Sequence, residues 1–217
     1  MSNSKQTAEP GAVTNAAALP DAERSKLPNV LIIGDSISLG YTDNVRKLLE
    51  GRANVYRSEG NAGPTSTGIA HVDDWISAHD VKWDVIHFNF GLHDLKVAPN
   101  TKEAPYPGGH QVTEADYEKN LRQIVARLKA TSARLIFATT TPVPAGKLDP
   151  PRRTADVLEY NAIATKVMAE NGIAIDDLYG IALPILSTIQ QHENVHFTDE
   201  GSATLAKAVV ASILPAL

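Results

Sequence analysis

Short runs of apolar, often β-branched residues alternate along the chain with segments whose apolar residues recur every three or four positions. The short runs are typical of strands covered on both faces, and the periodic segments are typical of helices with one buried side. Alternation of this kind predicts βαβ units, and hence a three-layer α/β/α sandwich around a parallel, doubly wound sheet of about five strands. The predicted strands are Asn29–Ile33, Asn54–Tyr56, Val85–Asn89, Leu135–Thr139 and Ile173–Ile175.

Three helices are predicted with particular detail. All three have an apolar stripe on one face, and the last is expected to begin after Thr198, whose hydroxyl can cap the first turn. Asp199 and Glu200 then fall in that turn, where negative charge is favourable. The stripes consist of Tyr117, Leu121, Ile124, Val125 and Leu128, then Val157, Tyr160, Ile163, Ala164 and Val167, and finally Leu205, Val209 and Ile213.

Some segments depart from this alternation. Residues 1–28 are rich in Ala, Ser, Asn and Pro, which predicts a flexible N-terminal arm before a single domain at residues 29–217. Val97–Thr113 carries too many Pro and Gly residues for a helix or a central strand. Loops of this length are uncommon in compact domains and are often functional.

Composition narrows the chemistry. The 217 residues are 43% hydrophobic and carry a net charge of −5, as expected for an ordinary globular protein with a real core. No cysteine is present, which excludes thiolate metal sites, disulfides and cysteine nucleophiles. Without a basic block or an apolar run of about 20 residues, we expect no nucleic-acid partner and no membrane insertion. No signal-peptide core is recognisable, and neither the compartment nor the oligomeric state is indicated.

Polar residues that follow the predicted strands form a candidate site. Gly34–Ser36 directly follows the first strand and precedes a helix, which places Ser36 at the carboxyl edge of the sheet with its N–H at a helix N-terminus. Gly63 lies in a turn after the second strand, and Asn89–Asp94 ends the third. Because the carboxyl ends of parallel strands share one edge, we expect these residues to face one crevice.

A histidine near the C-terminus completes the candidate site. A serine hydroxyl becomes a nucleophile when a histidine takes its proton, and the histidine works best when a carboxylate fixes its tautomer. Glu193 precedes His196 by three residues, so the two can meet on one folded loop. Asp199 is the alternative carboxylate if the loop folds differently.

Taken in order, these segments resemble the sequence blocks of the SGNH hydrolases, the GDSL-type esterase and lipase superfamily. The resemblance extends from Ile33 to the C-terminal helix and implies a flavodoxin-like fold. It implies that Ser36 is the nucleophile, His196 the general base and Glu193 the acid of a catalytic triad. It further implies that the N–H groups of Ser36 and Gly63 bind the oxyanion, and that no metal or organic cofactor is needed.

The segment Gly91–Asp94 departs from the family pattern, which reads Gly-x-Asn-Asp at this place. His93 stands in the position of the asparagine, whose amide donates to the oxyanion in the family. A neutral imidazole also has an N–H to donate, so our hypothesis is that His93 replaces that amide. Asp35, Asn89 and Asp94 are expected to support the edge loops through hydrogen bonds.

The resemblance implies hydrolysis of a carboxylic ester, and we favour O-deacetylation of a carbohydrate. In the loop Val97–Thr113, Tyr106 and His110 are candidate contacts to a sugar ring. The sequence also resembles the carbohydrate acetylesterases of the family. A lysophospholipase, a thioesterase or a short-chain arylesterase is the alternative.

Two other functions fit parts of the sequence. Residues 192–196 spell the His-Glu-x-x-His motif of zinc metalloproteases, which requires both histidines on one helix face. The helix start signals at Thr198 place this motif before the helix, and no His, Asp or Glu follows Glu200. The second possibility is a non-catalytic carbohydrate-binding module, although such a module would not need an activated serine.

Overall fold

The computed structural model describes residues 25–217, so nearly all of the predicted N-terminal arm lies outside the described residues. The described chain forms a five-stranded, all-parallel sheet in the order β2-β1-β3-β4-β5. This confirms the predicted α/β architecture. The strands are β1 (Asn29–Ile33), β2 (Asn54–Arg57), β3 (Val85–Phe88), β4 (Arg134–Ala138) and β5 (Ala174–Asp176).

Helices cover both faces of the sheet. The first helix packs against the last, while the second, third and fourth pack against one another in sequence. Short 3₁₀ turns occupy Leu183–Ile185 and Leu214–Ala216. The helices are α1 (Ser36–Leu48), α2 (Thr65–Ser77), α3 (Glu114–Ala130), α4 (Thr154–Glu170), α5 (Leu178–Ala182), α6 (Leu186–Ile189) and α7 (Asp199–Ile213).

The apolar stripes explain how the helices pack on the sheet. All five predicted stripe residues of α3 are buried, and those of α4 are buried except Ile163, which is partly buried. The hydroxyl of Thr198 caps α7 by accepting a hydrogen bond from the Gly201 N–H. None of the helices within residues 25–217 is both long and apolar enough to span a bilayer.

The sheet topology locates a crevice at its carboxyl edge. The chain leaves β1 towards β2 on one side and then crosses to β3 on the other side of β1. Ligands bind at such a switch point in doubly wound folds, because the loops on either side diverge there. Ser36 follows β1 and the segment Asn89–Asp94 follows β3, so both belong to this edge.

Candidate active site

Ser36 is the first residue of α1 and follows a sharp turn at the end of β1. The Asp35 carboxylate caps this helix by accepting a hydrogen bond of 2.9 Å from the Ile37 N–H. Burial raises the pKa of Asp35 above its ordinary value. The N–H of a residue at the first helical position has no intrahelical acceptor, so the Ser36 N–H can bind an anion.

Arg57, at the end of β2, holds the turn that carries Ser36. Its guanidinium donates to the Gly34 carbonyl at 2.8 Å, to the Gly60 carbonyl at 2.6 Å and to the Ser38 hydroxyl at 3.0 and 3.1 Å. Burial lowers the pKa of Arg57, because desolvation disfavours its charged form. Sequence reasoning missed this residue, although an arginine at the carboxyl end of a strand was a usable signal.

Ser36 and His196 meet across 160 positions of sequence. The Ser36 Oγ lies 2.9 Å from His196 Nε2, within hydrogen-bond distance. This is the contact through which an imidazole takes the proton of a serine hydroxyl. The two residues predicted as nucleophile and base are therefore in position to act together.

The third member of this constellation differs from the sequence prediction. His196 Nδ1 lies 2.7 Å from Asn194 Oδ1, and the His196 backbone N–H donates to the same oxygen at 3.0 Å. Glu193 is exposed and makes no hydrogen bond within the described residues. Its backbone is left-handed, with φ of 47°, and its carboxylate lies beside Gly146. Neither Glu193 nor Asp199 hydrogen-bonds to the imidazole, so the geometry does not support either as the triad acid.

Hydrogen bonds determine whether the oxygen or the nitrogen of the Asn194 side-chain amide points at His196. The Phe197 carbonyl can only accept, so it takes the Gln191 side-chain N–H at 3.0 Å. Gln191 Oε1 then accepts from Asn194 Nδ2 at 3.2 Å, which leaves Asn194 Oδ1 for the imidazole. His196 consequently carries its hydrogen on Nδ1, and Nε2 is free to accept the Ser36 proton. The signal in the sequence was an Asn two residues before the histidine, a spacing that favours an Asx turn.

Two further residues were predicted to bind the oxyanion. Gly63 adopts a left-handed φ of 62°, but its N–H donates to Asn61 Oδ1 at 2.9 Å. In this arrangement it faces Asn61 rather than the cleft, contrary to the expectation for an oxyanion donor.

His93 lines the cleft together with Ser36 and His196. Burial, with added repulsion from Lys96, Arg152 and His196, lowers the pKa of His93 to about 4, which keeps the ring neutral near pH 7.

Asp94 and Asn89 tie the edge loops together. Asp94 Oδ1 accepts hydrogen bonds from the backbone N–H, at 2.8 Å, and the hydroxyl of Thr65, the first residue of α2. This joins the loop that carries His93 to the loop that carries Gly63. Burial raises the pKa of Asp94 to about 7. Asn89 donates to the Ala138 carbonyl at 2.8 Å, which connects the ends of β3 and β4.

The cleft above Ser36 is open and has a volume of about 630 Å³. Its walls are mixed, with apolar side chains beside charged ones. Arg152 is held in place by its hydrogen bonds to the Leu92 carbonyl at 2.9 Å and the Pro150 carbonyl at 3.2 Å. Besides Ser36, His93 and His196, the lining residues are Asn61, Leu92, Lys147, Leu148, Asp149, Pro150, Arg152, Glu193, Asn194 and Val195.

The long loop Val97–Thr113 contains no helix or strand, as predicted, but it does not place its candidate residues in the cleft. Neither Tyr106 nor His110 is among the residues that line it. His110 Nδ1 lies 2.8 Å from a Glu114 carboxylate oxygen, and its Nε2 lies 3.2 Å from Asp156. Because both nitrogens face carboxylates of α3 and α4, His110 fastens the loop instead of meeting a substrate.

The His-Glu-x-x-His motif does not form a zinc site. Residues 192–196 lie in the turn between α6 and α7, where His192 is exposed and His196 faces Ser36. Within residues 25–217, no three His, Asp or Glu side chains are grouped so that they could hold a metal ion. The geometry therefore does not support the metalloprotease hypothesis.

Residues 32–204, most of the chain, match the GDSL-like lipase/acylhydrolase family. The chain belongs to this family. The resemblance predicted from the sequence blocks is thereby confirmed, and this GDSL-like hydrolase acts on carboxylic ester bonds. No curated protein sequence is significantly similar to the hydrolase.

Several solved structures share the fold of the hydrolase. The lipase/acylhydrolase from Enterococcus faecalis has a TM-score of 0.71 at 20% identity, over 86% of this chain and 95% of that one. A catalytic mutant of an acetylxylan esterase from Geobacillus stearothermophilus has a TM-score of 0.68 at 21% identity, over 86% and 94%. The acetyl xylan esterase AlAXEase has a TM-score of 0.67 at 17% identity, over 86% and 100%. At such identities, the likeness demonstrates a common fold.

Proposed function

We propose that this hydrolase is a serine esterase that removes acetyl groups from a carbohydrate. The observation that carries the serine mechanism is the 2.9 Å contact between Ser36 Oγ and His196 Nε2. The adjoining cleft supports the substrate class, because it is open, wide and lined by charged and amide groups. An alcohol rich in hydroxyl groups can exchange its water contacts for hydrogen bonds to such walls.

The mechanism follows from the hydrogen-bond network. His196 Nε2 takes the proton of Ser36 Oγ as this oxygen attacks the ester carbonyl, while Asn194 Oδ1 holds the hydrogen on His196 Nδ1. The Ser36 N–H, together with His93, stabilises the oxyanion of the tetrahedral intermediate. The alcohol leaves with the proton from His196, and an acetyl group remains on Ser36.

Deacylation repeats these roles with water as the nucleophile. His196 takes a proton from water, whose oxygen attacks the acetyl-enzyme. Collapse of the second intermediate releases acetate and returns the proton to Ser36. The neutral amide of Asn194 orients the imidazole, but it stabilises the transient imidazolium less than a carboxylate would.

The polar cleft favours a sugar ester over a long-chain lipid. An acyl chain of a lipid needs a continuous apolar surface, whereas the apolar lining residues Leu92, Leu148 and Val195 are interspersed with Lys147, Asp149 and Arg152. A small acetyl group requires little apolar contact. Two of the solved structures that share the fold are acetylxylan esterases, in agreement with this proposal.

The proposal is tested by measuring acetate release from acetylated xylan and other acetylated oligosaccharides, alongside nitrophenyl esters from acetate to laurate. We expect acetate release from at least one saccharide ester and a steep fall in kcat/KM as the acyl chain lengthens. Ser36→Ala should abolish both activities, whereas Ser187→Ala, at an exposed serine of α6, should leave them intact. A preference for laurate over acetate would favour a lysophospholipase or thioesterase and contradict the proposal.

A further inference from the structure

A lysine side chain contacts His93, one of the residues that line the cleft. Lys96 Nζ lies 2.9 Å from His93 Nδ1, three residues earlier in the same turn. The backbone of this turn is held independently of the Lys96 side chain, since the Lys96 carbonyl accepts from the Gln111 N–H at 2.8 Å. The mechanism above uses His93 but gives this amine no role.

The chemistry of the two groups determines where the hydrogen of His93 lies. A lysine ammonium has three N–H bonds and no lone pair, so in this contact it donates and His93 Nδ1 accepts. A neutral imidazole has a single ring hydrogen, which must then be on Nε2. Within the described residues, His93 Nε2 has no hydrogen-bond partner, so this N–H remains available.

We infer that Lys96 is a positioning residue, which holds His93 in the neutral tautomer whose hydrogen is on Nε2 so that Nε2 can donate to the oxyanion. This inference rests on the proposed serine-esterase function. The lysine would ensure that a ring N–H points at the oxyanion, which an asparagine amide provides without help at this position of the family. An amide NH₂ always donates, whereas an unrestrained neutral imidazole also populates the tautomer that presents a lone pair to the oxyanion.

The charges around the pair are consistent with a neutral ring beside a charged amine. Besides burial, His93 experiences Lys96, Arg152 and His196, all of which oppose its protonation. Burial, with added repulsion from Arg152, lowers the pKa of Lys96 below its ordinary value. Asp35 and Asp94 oppose this shift and favour the ammonium form, which donates to the ring.

The kinetic test replaces Lys96 by methionine, which removes the donor and keeps an extended side chain. With nitrophenyl acetate, a neutral substrate, we expect kcat to fall about tenfold at nearly constant KM, less than the roughly hundredfold or greater cost of losing an oxyanion donor. Lys96→Arg keeps a permanent donor and should restore most of the rate. Lys207→Met, at an exposed lysine of α7, is the matched control and should have the parental rate.

A double-mutant cycle separates this role from a structural one. In a His93→Asn background there is no ring to orient, so Lys96→Met should reduce kcat by no more than about twofold. An equal loss in both backgrounds would overturn the inference, as would a rise in KM without a change in kcat. If Ser36→Ala stays active, the proposed function fails; if activity depends on Ser36 but Lys96→Met is unimpaired, only the inference about Lys96 fails.

Nitrogen NMR of the enzyme labelled with ¹⁵N-histidine gives a readout independent of activity. We expect the parental His93 to show a protonated Nε2 and an unprotonated Nδ1, and Lys96→Met to show averaged signals. A hydrogen on Nδ1 in the parental enzyme would refute the inference. Because that spectrum needs no variant, the test stands even if Lys96→Met fails to fold.

Discussion

Replacing Asn194 by alanine removes the acceptor that holds the hydrogen on His196 Nδ1. The lost contact is 2.7 Å long, and the same oxygen also accepts the His196 backbone N–H, so the imidazole loses both its tautomer and its orientation. Leaving a half-buried polar group without its partner costs about 1–3 kcal/mol. If this cost raises the free energy of the transition state, kcat decreases about 5- to 150-fold.

The matched variant is Glu193→Gln, at the adjacent carboxylate. Glu193 is exposed and has no hydrogen bond within residues 25–217, so its kcat should remain within about twofold of the parental value. Asn194→Asp keeps the acceptor and adds a charge that stabilises imidazolium, so it should retain or exceed the parental rate.

The assay is kcat for nitrophenyl acetate at pH 7, with circular dichroism to verify folding. A large loss in Glu193→Gln together with parental activity in Asn194→Ala would refute the reasoning. It would mean that the loop rearranges during catalysis and that the carboxylate supports His196 after all.

Three other variants have expected outcomes. Arg57→Met removes the donors that hold the Ser36 turn, so urea denaturation should show a loss of about 1–3 kcal/mol, with the exposed Arg52→Met as control. Asp94 is protonated more readily in the folded state, with a pKa of about 7 against 3.8. Its contribution to stability is therefore complete below pH 3.8 and is lost as the pH rises through about 7. Asp94→Asn should flatten this decline in stability in urea melts, and an unchanged slope would contradict the role of Asp94. His110→Ala removes two carboxylate contacts, so proteases should cleave within Val97–Thr113 faster, while kcat for nitrophenyl acetate is unchanged. Equal cleavage rates in the variant and the parental enzyme would contradict the role of His110 in fastening the loop.

The fold was predictable because burial dominates it. The predicted limits of β1 are the observed ones, because its run of apolar residues is not interrupted by polar residues. By contrast, β5 begins and ends one residue later than predicted, at the edge of the sheet. There, the pairing with β4 determines the limits, and Ala174 and Ile175 are exposed, so hydrophobicity carries less information.

Part of the site could be predicted from the sequence. Ser36 was identified because it directly follows a strand at the carboxyl edge of the sheet, and His196 because of its spacing to a carboxylate and its resemblance to the C-terminal block of the family; the structure brings the two side chains together. Asn194 was missed although its spacing to His196 favours an Asx turn, because the left-handed backbone of the neighbouring Glu193 cannot be read from the spacing of residues. The same limit applies to Gly63, whose N–H direction depends on the Asn61 side chain.

The most direct test of the serine mechanism is to trap the acyl-enzyme. The hydrolase is mixed with nitrophenyl acetate, quenched in acid within the first turnover and digested for mass spectrometry. We expect one acetyl group on the peptide that contains Ser36, absent in Ser36→Ala and formed far more slowly in His196→Ala. Acetylation of another residue at the parental rate, or parental turnover in Ser36→Ala, would contradict the assignment of Ser36 as the nucleophile.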